Sequence, residues 1–242
     1  MDDILIVGSG LAGYSLSREI RAIDAEIPLH LITTDTGDFH SKPMLSNGLQ
    51  KNKTAETLIN ASATEMAEKN GLTIGTECRV SKIVSTEKKL ISEKGEHEYG
   101  ALVLAVGLDV ARGVVTNRLL QSSDKSIFAL GDCAEVAGLN LPFVMPIMHT
   151  ARALAKTLTG QPTEVVYPAM PVIIKTPLHP IVIAAPDPKA EGNWQTEQTN
   201  EGTRCLFHGV GDDLLGFVIS GRFVEEKQAL LQRLPPLLPA SI

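Results

Sequence analysis

Residues 3–14 run Asp-Ile-Leu-Ile-Val-Gly-Ser-Gly-Leu-Ala-Gly-Tyr, an apolar β-rich stretch delivered straight into a glycine-spaced turn. Few folds accept that pattern. Gly8, Gly10 and Gly13 match GxGxxG, with a strand over 3–7 before them and a helix over about 11–24 after them. Gly8 permits the tight turn, Gly10 lets backbone approach a pyrophosphate, and Gly13 lets helix pack close to strand. Leu11, Leu16 and Ile20 give the helix an apolar face, and residues 28–33 form the next strand. The result is β-turn-α-β, the first half of a Rossmann unit, with the free N–H groups of the helix start, at Leu11 and Ala12, turned to an anion.

A second signal lies at Ile127-Phe128-Ala129-Leu130-Gly131-Asp132, a buried strand that sets a carboxylate just past its end. Two such distant segments hold an FAD-type dinucleotide, with Asp132 accepting from a ribityl hydroxyl while the Gly131 region donates to phosphate; the alternative is a cap or turn Asp. The second strand ends Thr33-Thr34-Asp35. Asp35 takes the adenosine ribose, or Thr33 and Thr34 do so through hydroxyl or backbone, or Asp35 is a turn residue. A carboxylate there favours FAD or NAD over a 2′-phosphorylated nucleotide. Lys42, stiffened by Pro43, is the candidate for tuning a flavin, because a nearby cation stabilises its anionic reduced form; a surface lysine is the alternative. Lys175 interrupts the apolar run Val172-Ile173-Ile174 and calls for a cofactor or carboxylate partner if buried, or marks an edge strand. No linkage site stands out, so the expected FAD is non-covalent. Only one glycine-rich turn of this kind occurs, which leaves no evident place for a nicotinamide.

The formal net charge of −6, without a basic tract, and an aromatic content of 4% argue against nucleic acid as a partner. No apolar stretch reaches 18 residues, so no membrane span is expected and the cytoplasm is the default location. Cys78, Cys133 and Cys205 form no CxxC, and the six histidines form no cluster, so neither a redox disulfide nor a metal is expected.

Further along, 38–53 reads as a loop with a short helix over the ligand crevice, and 54–70 as helical. A short strand lies between Gly71 and Gly75. Residues 77–84 and 89–92 make an antiparallel meander, and 101–105 a strand ending at Gly107. Residues 110–115 look like a β-hairpin arm, and 146–159 like a helix that stops before Gly160-Gln161-Pro162. Beyond that point prolines accumulate. Strands are expected at 171–176, 180–184, 203–209 and 214–220, with a final helix over 222–234; Trp194 reads as packing. The predicted class is α/β: a Rossmann-like FAD-binding domain over 1–160, assembled from segments 1–107 and 108–160, and a small antiparallel α+β domain over 161–242.

The motifs GSGLAGY at 8–14, SKPMLS at 41–46, LAVG at 104–107, ALGDCAEV at 129–136 and YPAMPVIIKTP at 167–177 resemble the rubredoxin–NAD reductase family. These are FAD enzymes of the pyridine nucleotide–disulfide reductase fold class. The resemblance implies electron flow from NADH through FAD to rubredoxin. It implies that Gly8, Gly10 and Leu11 hold the pyrophosphate, that Thr34 and Val80 lie by the adenosine, and that Lys42 and Pro43 face the isoalloxazine. Ala105, Val106 and Gly107 would line ring and chain, Asp132 the ribityl chain, and Val144 and Lys175 would approach the ring. It also implies a central NAD(H)-binding domain, which would be inserted between Gly107 and Leu108. The expectation is therefore a domain-deleted FAD core with efficient NADH oxidation lost and NADH bound poorly, or alternatively a non-catalytic flavin-binding or scaffold module. Rubredoxin is the expected partner, with Lys42, Lys51 and Lys53 as candidates for steering it or, alternatively, a solvated lysine run, and a monomer is favoured.

Overall fold

A computed structural model describes residues 3–41, 54–107, 113–174 and 179–241. The chain divides into two units, Met1–Val165 and Val166–Ile242.

In the first unit β1 (Ile4–Val7) leads through the glycine turn into α1 (Leu11–Ile23) and β2 (Leu29–Ile32). Then come α2 (Ala55–Leu58), α3 (Ala63–Asn70), β3 (Thr73–Gly75), the meander β4 (Val80–Val84), β5 (Lys89–Ser92) and β6 (Gly95–Glu98), and β7 (Ala101–Leu104). Strands β8 (Val114–Thr116), β9 (Ile127–Ala129), β10 (Ala134–Val136) and β11 (Leu139–Asn140) precede α4 (Val144–Leu158). The main sheet is parallel, in the order β3-β2-β1-β7-β9. This is the doubly wound, Rossmann-like arrangement, and its strand order reverses direction at β1.

Alternation along each strand sorts the side chains onto two faces. Leu5, Val7, Ile32, Leu102 and Ile127 cluster on one face with Cys78, Leu90 and Tyr99, so the meander covers that side. Ile4 and Ile6 are buried on the other face, where α1 packs against α4. Leu16 and Ile20 of α1 are fully buried there, each contributing about 1.5–3 kcal/mol relative to exposure.

The helix expected over 54–70 is broken in two. Phe39 pairs with Ala61 as an isolated bridge, which pulls residues 59–61 out of helical geometry. A capping box then restarts the helix: the Glu65 N–H donates to Ser62 Oγ, and the Ser62 N–H donates to the Glu65 carboxylate. The Ser62-x-x-Glu65 spacing is a readable start signal. Ser62→Ala should cost about 1 kcal/mol, seen as a fall of roughly 2–4 °C in melting temperature; an unchanged melt would mean that the cap contributes nothing. The hairpin arm over 110–115 is also corrected. Residues 110–112 lie outside the described residues, and Val114–Thr116 pairs in parallel with Ala134–Val136 instead of folding back on itself. The antiparallel partner of β10 is β11, reached through Ala137 and Gly138, both at positive φ.

The second unit is one antiparallel sheet of β12 (Val172–Ile174), β13 (Ile181–Ala184), β14 (Gly192–Thr199), β15 (Gly202–Gly209) and β16 (Leu214–Ser220), in the order β12-β13-β16-β15-β14. Val182, Ala184, Leu214, Phe217 and Ile219 pack on Phe223 and Leu230. The final helix is shorter than expected: Gly221–Glu226 is 3₁₀ and α5 spans Lys227–Arg233. Strand β14 went unread because Gly-Asn-Trp-Gln-Thr-Glu-Gln-Thr has no apolar alternation. Trp194 does pack, 5.2 Å from the Phe207 ring, yet stays 47% exposed. Among the described residues no helix is long and apolar enough to cross a membrane.

Candidate functional site

A cleft of about 450 Å³ opens in the first unit, lined by Gly8, Ala105 and Asp132, which follow the C-terminal ends of β1, β7 and β9. In a sheet of this topology, ligands bind at that end, where the strand order reverses.

The glycine turn forms its floor. Gly8 sits at φ +114, and a Cβ there would lie 2.4 Å from the Ala105 carbonyl oxygen. A Cβ on Gly13 would lie 2.1 Å from the Gly8 carbonyl oxygen, so this glycine sets how closely α1 approaches β1. Gly10 is different: nothing lies within 4 Å of where its Cβ would be, and it faces the cleft. It is also the N-cap of α1, which has no side-chain cap and no acidic residue in its first turn. Gly131, at φ +77, is a third packing glycine, since its Cβ would meet Ala12 Cβ at 2.8 Å. The helix α4 begins at the cleft, where Phe143, Val144 and Ile147 line it. Its first turn too lacks an acidic residue. Two positive helix ends therefore belong to one cleft.

Asp35 is a hub. Its Oδ1 accepts from Thr33 Oγ1 at 2.7 Å, Ser9 Oγ at 3.0 Å and the Gly37 N–H at 3.0 Å. Burial pushes its carboxyl up, but the bonds from Thr33, Gly37 and Ser9 outweigh that and hold it below the ordinary carboxylate value. A lowered folded-state pKa contributes stability that is fully present above the unfolded pKa and lost as pH falls through the folded one. Wild type should therefore exceed Asp35→Asn in stability at pH 7, with the gap closing below about pH 4. Urea melts across that range test it, and a gap that persists undiminished in acid would refute the role. Tyr14 braces the same loop: its hydroxyl donates to the Gly37 carbonyl and its ring meets Phe39 edge-on at 5.8 Å. Burial first, then the charges of Asp35 and Asp38, push its pKa up to about 12.

Of the residues singled out in the sequence, Gly8, Gly10, Leu11, Ala12, Thr33, Thr34, Asp35, Val80, Ala105, Val106, Gly107, Asp132 and Val144 line this cleft. Gly13 and Gly131 do not line it and pack behind it. Lys42, Pro43 and Lys175 lie outside the described residues, as do Lys51 and Lys53. Sequence reasoning missed Ser9, Asp38, His40, Cys78, Phe143 and Ile147 as lining residues. Ser9 was legible, standing inside the glycine motif, whereas Cys78 and Phe143 arrive through tertiary packing.

The fold and cleft define a dinucleotide-binding Rossmann-like unit joined to a small antiparallel sheet-and-helix unit. Residues 2–112 match the family described as pyridine nucleotide-disulphide oxidoreductase, and residues 164–234 match the rubredoxin binding C-terminal domain. The chain is similar to the rubredoxin-NAD(+) reductase of Alcanivorax borkumensis, 27% identical over 382 aligned positions that cover 99% of this chain and 100% of that protein. That alignment is longer than this chain of 242 residues and is therefore gapped. The rubredoxin-NAD(+) reductase of Acinetobacter baylyi is 44% identical over 137 residues, 56% of this chain and 35% of that one. The solved structure of a ferredoxin reductase from Rhodopseudomonas palustris superposes with a TM-score of 0.82 at 15% identity, covering 97% of this chain and 96% of that chain.

The near-complete coverage of the Alcanivorax reductase and of the solved structure corrects one expectation. Matches that run through this chain and those relatives overturn the expectation of a domain-deleted core, and the loss of efficient NADH oxidation, the poor binding of NADH and the loss of activity do not follow. The ground for them was the NAD(H)-binding domain that the resemblance inserts after Gly107, together with a missing second glycine-rich turn. Hydride transfer requires the nicotinamide to reach the flavin, and a motif count does not fix how it gets there.

Proposed function

We propose that this protein is an FAD-dependent reductase that takes electrons from NADH and passes them to rubredoxin or a similar small iron-carrying protein. One observation carries the reading: residues Gly8–Ala12 of the glycine turn, the Ala105–Gly107 segment and Asp132 line a single cleft at the carboxyl ends of the parallel strands. The residues fit the cofactor, because Gly10 leaves open space above an uncapped helix start, where a pyrophosphate gains from N–H donors and the helix dipole. The matches to oxidoreductase and rubredoxin-binding families support the donor and acceptor.

In this reading Gly8, Gly10, Leu11 and Ala12 hold the pyrophosphate. Asp35, fixed through Oδ1, offers its second oxygen to the adenosine ribose, with Thr34 and Val80 alongside. Asp132 accepts from the ribityl chain, while Ala105, Val106, Gly107 and Val144 line the remainder. Lys42, Pro43 and Lys175, which lie outside the described residues, are the remaining cofactor-binding candidates. FAD supplies the step from two-electron donor to one-electron acceptor. The chain supplies orientation and exclusion of water, and the start of α4 favours negative charge on its side of the cleft. Residues 1–160 carry the cofactor, 161–242 the rubredoxin-binding unit, and the cytoplasmic location goes with both.

Purified protein reconstituted with FAD should show flavin absorbance, and acid precipitation should release intact FAD. Anaerobic mixing with NADH should bleach the bands, and oxidised rubredoxin should restore them. A protein that binds no flavin refutes the whole reading. Bound flavin that cycles with neither NADH nor rubredoxin leaves a flavin-binding scaffold in its place.

A further inference from the structure

We infer that the outer edge of β14 is a homodimerisation edge, on which a second copy of this chain adds its own β14 antiparallel about a two-fold axis at Gln195. Strand β14 is the edge of the second unit's sheet, and among the described residues no strand pairs with its outer side. Residues Gly192–Gln198 are all exposed. Native sheets blunt such edges with short strands, lysine, proline or bulges. This edge has none of them: it is eight residues long, contains neither Lys nor Pro, and pairs with β15 from Gly192↔Gly209 to Thr199↔Gly202 without a register shift.

The ladder fixes which backbone groups point outward. Thr199 and Gly202 face each other across a two-residue loop, so they exchange both backbone hydrogen bonds, and hydrogen-bonded pairs then alternate along the hairpin. Thr199, Glu197, Gln195 and Asn193 bond inward to β15. Gln198, Thr196, Trp194 and Gly192 present N–H and C=O to the outer edge. Antiparallel partners must match outward residue to outward residue, so the permitted registers set even-numbered residues opposite even-numbered ones.

The register centred on Gln195 is self-complementary. It places Trp194 opposite Thr196 of the second copy, an aromatic against a β-branched residue. Asn193 faces Glu197, amide donor to carboxylate, and Gln195 faces its own copy, where two amides satisfy each other. No like charges meet. The one ionised group on the strand, Glu197, is already neutralised by Arg204 at 2.5 Å. An edge ladder of seven residues buries less area than a permanent dimer, so the association is reversible and concentration-dependent.

Trp194 is the chain's single tryptophan, so intrinsic fluorescence reads this edge directly. The experiment uses the FAD-loaded full chain, with light-scattering mass and Trp fluorescence followed over about two decades of concentration. Mass should rise from one copy to two, with Trp emission shifting to the blue in step. Thr196→Pro removes an outward N–H that β15 does not use, and Thr196→Lys places a cation on each edge. Each should weaken association at least ~10-fold while melting temperature and flavin content stay at wild type. If the proline variant misfolds, the lysine variant decides. A one-copy mass at every concentration overturns the inference, as does a two-copy mass untouched by both substitutions. A Trp shift that appears only when rubredoxin is added assigns the edge to that partner and overturns the second copy.

Discussion

Gly13→Ala is expected to cripple the protein, while Gly10→Ala, three residues away in the same motif, leaves its stability intact and costs only ligand. A Cβ at Gly13 would sit 2.1 Å from the Gly8 carbonyl oxygen, backbone against backbone, with no flexible side chain to give way. The gain in helix propensity, about 1 kcal/mol, is smaller than the cost of forcing α1 off β1, roughly 3 kcal/mol or more. Thermal melts should fall by roughly 4–10 °C, and the variant should purify without flavin. At Gly10 φ is −70°, compatible with any residue, and a Cβ meets nothing within 4 Å. The Gly10→Ala apoprotein should therefore melt within about 0.5 kcal/mol of wild type, with FAD affinity reduced because the new methyl occupies the approach of the pyrophosphate. Undiminished affinity in Gly10→Ala would show that no dinucleotide crosses this turn.

Asp132→Ala should weaken FAD binding more than Asp35→Ala does. A carboxylate that accepts from a ribityl hydroxyl contributes about 1.5–3 kcal/mol, which corresponds to a ~10- to 150-fold loss of affinity. Asp35 already commits Oδ1 to Thr33, Ser9 and Gly37. Its removal should therefore appear chiefly as a looser loop over residues 33–38 and a lower melting temperature, with a smaller effect on affinity. Flavin titration of the two apoproteins, paired with melts, separates the roles. A larger affinity loss at Asp35 would transfer the principal polar contact to the adenosine end.

The strand–turn–helix–strand at 3–33 was legible because each of its signals is local. Periodicity, glycine spacing and a β-rich run act within a few residues, and the structure has β1, α1 and β2 within one residue of the positions read for them. The antiparallel second unit was legible for the same reason wherever its strands alternate. Strand β14 was not, since a polar edge strand is held by its ladder to β15 and carries no pattern of its own. The parallel pairing of Val114–Thr116 with Ala134–Val136 spans about twenty residues and leaves no local trace. The break at 59–61 needed Phe39 as a partner, although the capping box that follows it could have been read.

The cleft divides in the same way. Sequence by itself determined the glycine floor and the strand that delivers Asp132, because only certain residue types tolerate a positive φ or a backbone contact at those points. Tertiary structure decided the rest. It decided that Gly13 and Gly131 stand behind the cleft while Gly10 faces it, that Asp35 is tied to Ser9 across 26 residues of chain, and that the start of α4 and Cys78 close the walls. These depend on which faces of distant elements meet. That is settled by the burial of the whole sheet and by no interval of sequence short enough to read.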